Sequence, residues 1–204
     1  MFGICNLAII PLRFEPSDRS EIVSQVLFGE HFEVLEQQKQ WSRIKMHFDG
    51  YEGWVDSKQY QVIDESNFNQ LSEDPIILNS DLIEYVTGPS NLLMPIPLGA
   101  SITFISNDNI NTSHFDFEGT KVNGVKDKKH LISTAFLYLN APYLWGGKTP
   151  FGIDCSGFTQ MVYKLNGYKL LRDASQQAMQ GEALSFIEES EPGDLAFFDN
   201  DEGN

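Results

Sequence analysis

The chain has 204 residues, with 14 basic and 29 acidic side chains for a formal net charge of −15, and 41% of it is hydrophobic. That composition supports packed cores rather than a disordered tail, and the lack of a basic stretch argues against nucleic acid or an anionic membrane surface as a partner. Cys5 and Cys155 form no CxxC pair, which speaks against a disulfide framework or a zinc site.

No run of about 18 apolar residues predicts a membrane span, and residues 1–11 lack the charged start and apolar core of a signal peptide. A cytoplasmic setting follows as the expectation, and it suits a free thiol.

Residues 1–62 read as short strands between turns, at 32–35, 41–46 and 53–55. Asp49-Gly50 is a tight-turn signal that places the last two side by side. Several short strands at this spacing predict a small barrel. The order Pro16-Ser17, residues 24–30, Trp41, and Gly50-Tyr51-Glu52-Gly53-Trp54-Val55 resembles a bacterial SH3-like domain.

Residues 63–75 are polar and turn-rich and read as a linker. Strand-like runs follow at 75–78, 92–96 and 101–105, with a turn at Asn107-Asp108-Asn109. They predict a second SH3-like, β-rich unit over 63–125. That stretch holds one basic residue, Lys121, against nine acidic ones, whereas 126–204 hold seven against eleven.

From Lys126 the periodicity changes. Leu131, Ile132, Ala135, Phe136 and Leu139 form the stripe of an amphipathic helix that must end before Pro142. Phe158, Met161, Val162 and Leu165 repeat the pattern after Cys155, and Asn166-Gly167 is a stop signal. Asp173 reads as the cap of a short helix. Glu191-Pro192-Gly193-Asp194 reads as a turn into an apolar strand at 195–198.

The informative stretch is 143–158, where a glycine-rich loop delivers Cys155 to the first turn of a helix. Helix N-termini carry unpaired N–H groups and partial positive charge, which favour thiolate over thiol in a group that ordinarily titrates near about 8.5. A free cysteine is more often a small buried hydrophobe. The polar neighbours Asp154 and Ser156 argue for the reactive reading. Gly157 removes a side chain close to the sulfur, leaving room for a scissile bond.

Tyr143-Leu144-Trp145-Gly146-Gly147, then Gly152-Ile153-Asp154-Cys155-Ser156-Gly157-Phe158, then residues 172–177, then Pro192-Gly193-Asp194 and residues 195–198 resemble the NlpC family of papain-like cysteine peptidases. With the SH3-like resemblance ahead of it, the chain is similar to γ-D-glutamyl-diamino acid endopeptidases. These cleave murein peptides bearing a free N-terminal L-Ala. The implied fold class is α+β multi-domain: one or two small SH3-like β-barrels over 1–62 and 63–125, then an incomplete papain-like domain over 126–204.

The resemblance implies Cys155 as nucleophile and Tyr143 as a site tyrosine aiding the oxyanion, although a core aromatic would read the same way. Trp145 would wall the pocket, and Asp154, Ser156, Arg172, Asp173 and Ser175 would contact substrate. Asp154 or Asp173 could bind the free α-amine, while Arg172 with the two serines could hold the D-glutamyl α-carboxylate. Tyr51 is the candidate contributed by the SH3-like part, with Glu15 and Glu30 behind it.

Acyl transfer to water by a thiol would need no metal or organic cofactor, but it also needs a base and a group that orients it. The family supplies both on later strands, and His31, His47, His114 and His130 match neither. The expectation is that the natural protein continues past Asn204 and that residues 1–204 alone are inactive. A non-catalytic wall-peptide binder, or an amidase or acyltransferase of the same fold, is the alternative. Gly147-Lys148-Thr149 lacks the glycine and the context of a phosphate-binding loop, and Asn111-Thr112-Ser113 means nothing as a glycan acceptor without export.

Overall fold

The computed structural model describes residues 1–106 and 115–198. Alternation along the first seven strands builds one antiparallel sheet: β1 (Phe2–Ile4), β2 (Ile9–Arg13), β3 (Ile22–Leu27), β4 (His31–Gln38), β5 (Trp41–Met46), β6 (Glu52–Asp56) and β7 (Gln61–Ile63). Their order is β3-β2-β6-β5-β4-β1-β7. Phe32 and Val34 turn inward from β4 while Glu33 and Leu35 turn out, and Ile44 and Met46 do the same between Arg43 and Lys45 on β5. Cys5, Ile10, Leu12, Val26 and Val55 close this core. The β5–β6 turn forms at Asp49-Gly50, where Gly50 has φ +74° and Asp49 Oδ1 accepts from the Tyr51 amide at 2.9 Å.

The stretch expected to be a linker is a helix, α1 (Glu65–Glu73). Asp64 caps it by accepting from the Asn67 amide at 2.7 Å, and Glu65 sits in the first turn, where negative charge suits the helix dipole. Only Phe68 and Leu71 are apolar within it, too few to show a period. Phe68 stacks on Phe2, with ring centroids 4.1 Å apart.

Beyond it lie β8 (Ile77–Asn79), β9 (Ile83–Thr87), β10 (Leu93–Pro97), β11 (Asp116–Phe117) and β12 (Lys121–Asn123), in the sheets β10-β9-β11 and β12-β8. The strand expected at 101–105 does not form. Ser101 makes an isolated bridge to Leu78, and Thr103–Ser106 turn into a 3-10 helix. The Thr103 hydroxyl takes the Ile77 amide at 2.9 Å, a bond that a strand partner would otherwise supply. The turn expected at 107–109 falls outside the described residues.

The C-terminal part holds α2 (Lys129–Phe136), β13 (Lys148–Thr149), β14 (Gly152–Ile153), α3 (Cys155–Leu165) and α4 (Ala174–Ala178). Of the five residues in the expected stripe only two are covered: on α2 Leu131 is buried and Ala135 packs against the core, while Ile132, Phe136 and, beyond the helix, Leu139 are exposed. The turn at 191–194 forms, with the Asp194 amide on the Glu191 carbonyl. Residues 195–198 adopt no strand, because among the described residues none lies alongside to complete a ladder.

Hydrophobic packing crosses the chain's blocks. Phe28, Ile4 and Ile63 pack with Leu71, Val86, Ile96, Ile102 and Phe117, whereas the adjacent Leu27 joins Leu78, Leu98, Met161, Val162 and Leu165. Each such side chain contributes on the order of 1.5–3 kcal/mol when buried, so one strand end ties the first sheet to both later parts.

Candidate active site

The site is built on the approach to α3. Residues 143–154 fold back on themselves through the β13–β14 pair, with the Leu144 amide on the Ile153 carbonyl and the Ile153 amide on the Pro142 carbonyl. Gly146 has φ +76°, and a Cβ there would lie 2.3 Å from the Ile22 carbonyl oxygen of β3. Glycine at this position lets the loop lie directly on the first sheet.

Asp154 caps α3. Its Oδ1 accepts from the Gly157 amide (2.7 Å), and its Oδ2 accepts from the Gly146 amide (2.8 Å). Arg172 closes on the same carboxylate as a two-pronged fork, Nη2 to Oδ2 at 2.7 Å and Nη1 to Oδ1 at 3.1 Å. The guanidinium also donates to Ser156 Oγ (2.8 Å) and, through Nε, to Ser24 Oγ on β3 (2.9 Å).

Arg172 is 1% exposed. This changes the reading of three residues expected to contact substrate. Arg172, Asp154 and Ser156 are spent on one another beneath the first turn of α3, so a substrate carboxylate or amine would have to break a buried ion pair to reach them. Their geometry is that of a platform holding the helix start.

Cys155, the first residue of α3, is exposed. It stands on that platform in the open, which excludes the reading as a buried hydrophobe. Tyr143 is 67% exposed and is therefore no core aromatic. Partial burial pushes its hydroxyl up, and the neighbouring charges of Cys155 and Asp154 add to this. Trp145, also exposed, donates from Nε1 to Glu21 Oε1 at 2.5 Å.

Gly157 has a different reason from the one expected. A Cβ there would meet the Gly147 carbonyl oxygen at 2.3 Å and Asp154 Oδ1 at 2.9 Å. The missing side chain makes room for the loop, not for a ligand.

Asp173 caps α4, whose capping box is completed by Gln176 accepting from the Asp173 amide at 3.1 Å. Its Oδ1 also accepts from Tyr51 Oη at 3.0 Å. Burial and the Asp173 charge together push the Tyr51 hydroxyl up. Ser175 lies exposed on α4. Gln177 is buried and donates to the Ser156 carbonyl, fastening α4 to the start of α3.

The first sheet therefore reaches the site through Glu21, Ser24 and Tyr51, and also through Gln25 and Asp49. Gln25 Oε1 accepts from the Lys148 amide at 2.7 Å, and Asp49 Oδ2 from Gln160 Nε2 at 2.8 Å. Of these only Tyr51 stood out in the sequence as a site residue. The others are common polar residues whose partners lie more than 100 positions away.

Glu15 is exposed in the loop after β2, its amide donating to Ser20 Oγ and its carbonyl accepting from the Ser17 amide. Glu30 is buried and bound to Lys148 and Lys164, beside a small cavity that it lines with His31 and His47. His31 and His47 stack on each other, with centroids 4.5 Å apart, and share Ser72 Oγ; His130 is exposed on α2. None of these three bonds to Cys155, and His114 falls outside the described residues.

Known proteins show the same division. The NlpC/P60 family matches residues 140–204, and the bacterial dipeptidyl-peptidase Sh3 domain matches 12–59. The chain is 30% identical to the γ-D-glutamyl-L-lysine dipeptidyl-peptidase of Bacillus subtilis strain 168, over 89% of this chain and 66% of that protein. It is 26% identical to the protein so named in Bacillus cereus ATCC 10987, over 92% of this chain and 63% of that one. It thus spans somewhat less than two thirds of the length of each. A crystal structure of an NlpC/P60 family protein from Bacillus cereus ATCC 10987 superposes with a TM-score of 0.82 at 21% identity, covering 100% of this chain and 84% of the other. That likeness establishes the shared α+β, papain-like fold.

Proposed function

The chain combines a bacterial SH3 domain with an NlpC/P60 domain, and from that pairing we propose that it is a cysteine peptidase hydrolysing the γ-D-glutamyl–diamino acid bond of short murein peptides. The observation that carries this is that Cys155, the first residue of α3, is exposed. It lies close enough to Tyr143 for its charge to act on that hydroxyl. The thiolate attacks the amide carbonyl, the C–N bond breaks as the amine leaves with a proton, and water then cleaves the thioester. Tyr143 faces the reacting carbonyl with its hydroxyl.

Recognition of the free N-terminal L-Ala falls to Asp173, the carboxylate that Tyr51 orients. Unlike Asp154, it has no arginine on it among the described residues. The relatives named for γ-D-glutamyl-L-lysine make L-lysine the diamino acid to test first. The base is none of His31, His47 and His130, so this reading places it outside the described residues. A free-amine requirement suits released peptides rather than intact wall, hence a role in peptide recycling in the cytoplasm.

The test uses the full-length protein with L-Ala-γ-D-Glu-L-Lys, its N-acetylated form and intact murein. Free lysine released only from the first, and abolished by Cys155→Ser, is the expected result. Hydrolysis that survives Cys155→Ser removes the nucleophile from the reading. Tight peptide binding without turnover points to a wall-peptide binder instead.

A further inference from the structure

Among the described residues, the interior holds a second charged cluster besides the one on Arg172, and it has no part in the chemistry. Glu30 follows β3 and is buried, as are Lys148 on β13 and Lys164 on α3. Lys164 Nζ donates to Glu30 Oε1 at 2.6 Å, and Lys148 Nζ lies 3.3 Å from the same oxygen. Glu30 Oε2 accepts from the Leu27 amide at 2.8 Å, so the carboxylate is fixed to its own turn before it meets either lysine.

The two lysines lie on either side of the nucleophile in the chain. Lys148 is in the loop that enters α3, seven residues before Cys155, and Lys164 is in the last turn of α3, nine residues after it. An 11-residue helix is about 16 Å long, and a helix held at one end can pivot about that end. Here the same sheet holds both ends: Ser24, through Arg172 and Asp154, at the start, and Glu30 at the finish. Glu30 adds a second hold on the entering loop through Lys148.

We propose that Glu30 is a positioning residue for Cys155, a single carboxylate of the SH3 domain that sets both the loop before the sulfur and the axis of the helix behind it. The inference rests on Cys155 being the nucleophile only for its consequence in catalysis; its consequence for the sulfur itself is independent of that. Glu30 touches no reacting atom, and its effect passes through the two lysines. Two cations on one carboxylate also leave the cluster with an excess positive charge. Lys148→Met therefore leaves a balanced one-to-one pair between Glu30 and Lys164 and is the variant expected to fold well.

The experiment measures iodoacetamide alkylation of Cys155 in the full-length protein, located by peptide mass because Cys5 is also a thiol, together with thermal unfolding and peptide hydrolysis. Glu30→Gln and Lys148→Met are expected to change the alkylation rate of Cys155 at least threefold and to lower kcat with KM within about twofold, while Lys148→Met keeps the melting temperature within a few degrees. Should Glu30→Gln fail to fold, Lys148→Met alone decides.

A folded variant whose Cys155 alkylation and kcat match the parent within twofold overturns the proposal, whatever its melting temperature, and shows Glu30 to be structural only. If Cys155→Ser retains hydrolysis, the nucleophile assignment fails instead, and the alkylation result still stands on its own.

Discussion

Tyr51 and Asp173, 122 residues apart, meet through a hydrogen bond from the phenol to Oδ1 at 3.0 Å. The bond spans the boundary between the two domains and makes the SH3 domain part of the rim of the site. If Asp173 receives the substrate amine, the two side chains act as one recognition unit.

Tyr51→Phe should then raise KM for L-Ala-γ-D-Glu-L-Lys roughly 10- to 150-fold, the cost of about 1.5–3 kcal/mol for losing a hydrogen bond to a charged acceptor. Asp173→Asn should cost more, because it removes the charge as well. Little change in kcat is expected from either. Steady-state kinetics check this, and a fall in kcat at constant KM would move both residues out of substrate recognition.

Arg172 serves stability. Its guanidinium is enclosed and makes four hydrogen bonds to Asp154, Ser156 and Ser24. Removing one partner of a buried ion pair leaves the other uncompensated, a loss of about 3–5 kcal/mol. Arg172→Ala should therefore lower the denaturation midpoint sharply. Arg172→Lys should recover little, since an ammonium cannot reproduce the fork. An Arg172→Ala protein of unchanged stability and raised KM would return Arg172 to direct substrate contact.

Much of this was legible from residues 143–177, because local signals set local structure there. The glycine-rich loop placed Cys155 in the first turn of a helix, Asn166-Gly167 announced its end, and Asp173 the start of α4, whereas the Asp154 cap was not read from the sequence. Legibility failed where the partner is distant. Arg172 read as a substrate fork because nothing in the sequence reveals that Asp154 already occupies it. The Glu30 cluster was invisible for the same reason. Helix α1 was hidden by its own polarity, its stability coming from the Asp64 cap and from Phe68 packing on Phe2 rather than from a periodic face. Residues 195–198 carry strand chemistry without a strand to pair with among the described residues.

Stability should depend on acid through the stacked histidines. Burial pulls the His31 imidazole down to about 4, with the charge of His47 acting in the same direction, and burial and Lys169 lower His47 as well. A histidine depressed on folding binds protons more readily when unfolded, so stability is complete above about pH 6.5 and is lost as the pH falls toward 4. Glu30, which burial would raise but which Lys148 and Lys164 hold down at about 2, contributes stability that persists until much lower pH. Melting temperature should accordingly fall between pH 6.5 and 4.5 before the carboxylates respond. His31→Gln should flatten that limb; an unchanged slope would place its origin elsewhere.

Gly157 separates two accounts of the same residue. If its lack of a side chain served the substrate, Gly157→Ala would leave the fold alone and raise KM. The structure puts the added methyl 2.3 Å from the Gly147 carbonyl oxygen, a contact between backbone and backbone that no side-chain rotation relieves. Either the loop at 146–147 or the first turn of α3 has to shift, and the Asp154 cap lies between them. Overpacking of this kind costs about 1–3 kcal/mol. Gly157→Ala is thus expected to lower the unfolding midpoint and to change the alkylation rate of Cys155 in the absence of any peptide. Measured by chemical denaturation and thiol alkylation side by side, a stable variant with native alkylation and impaired peptide binding would restore the substrate account.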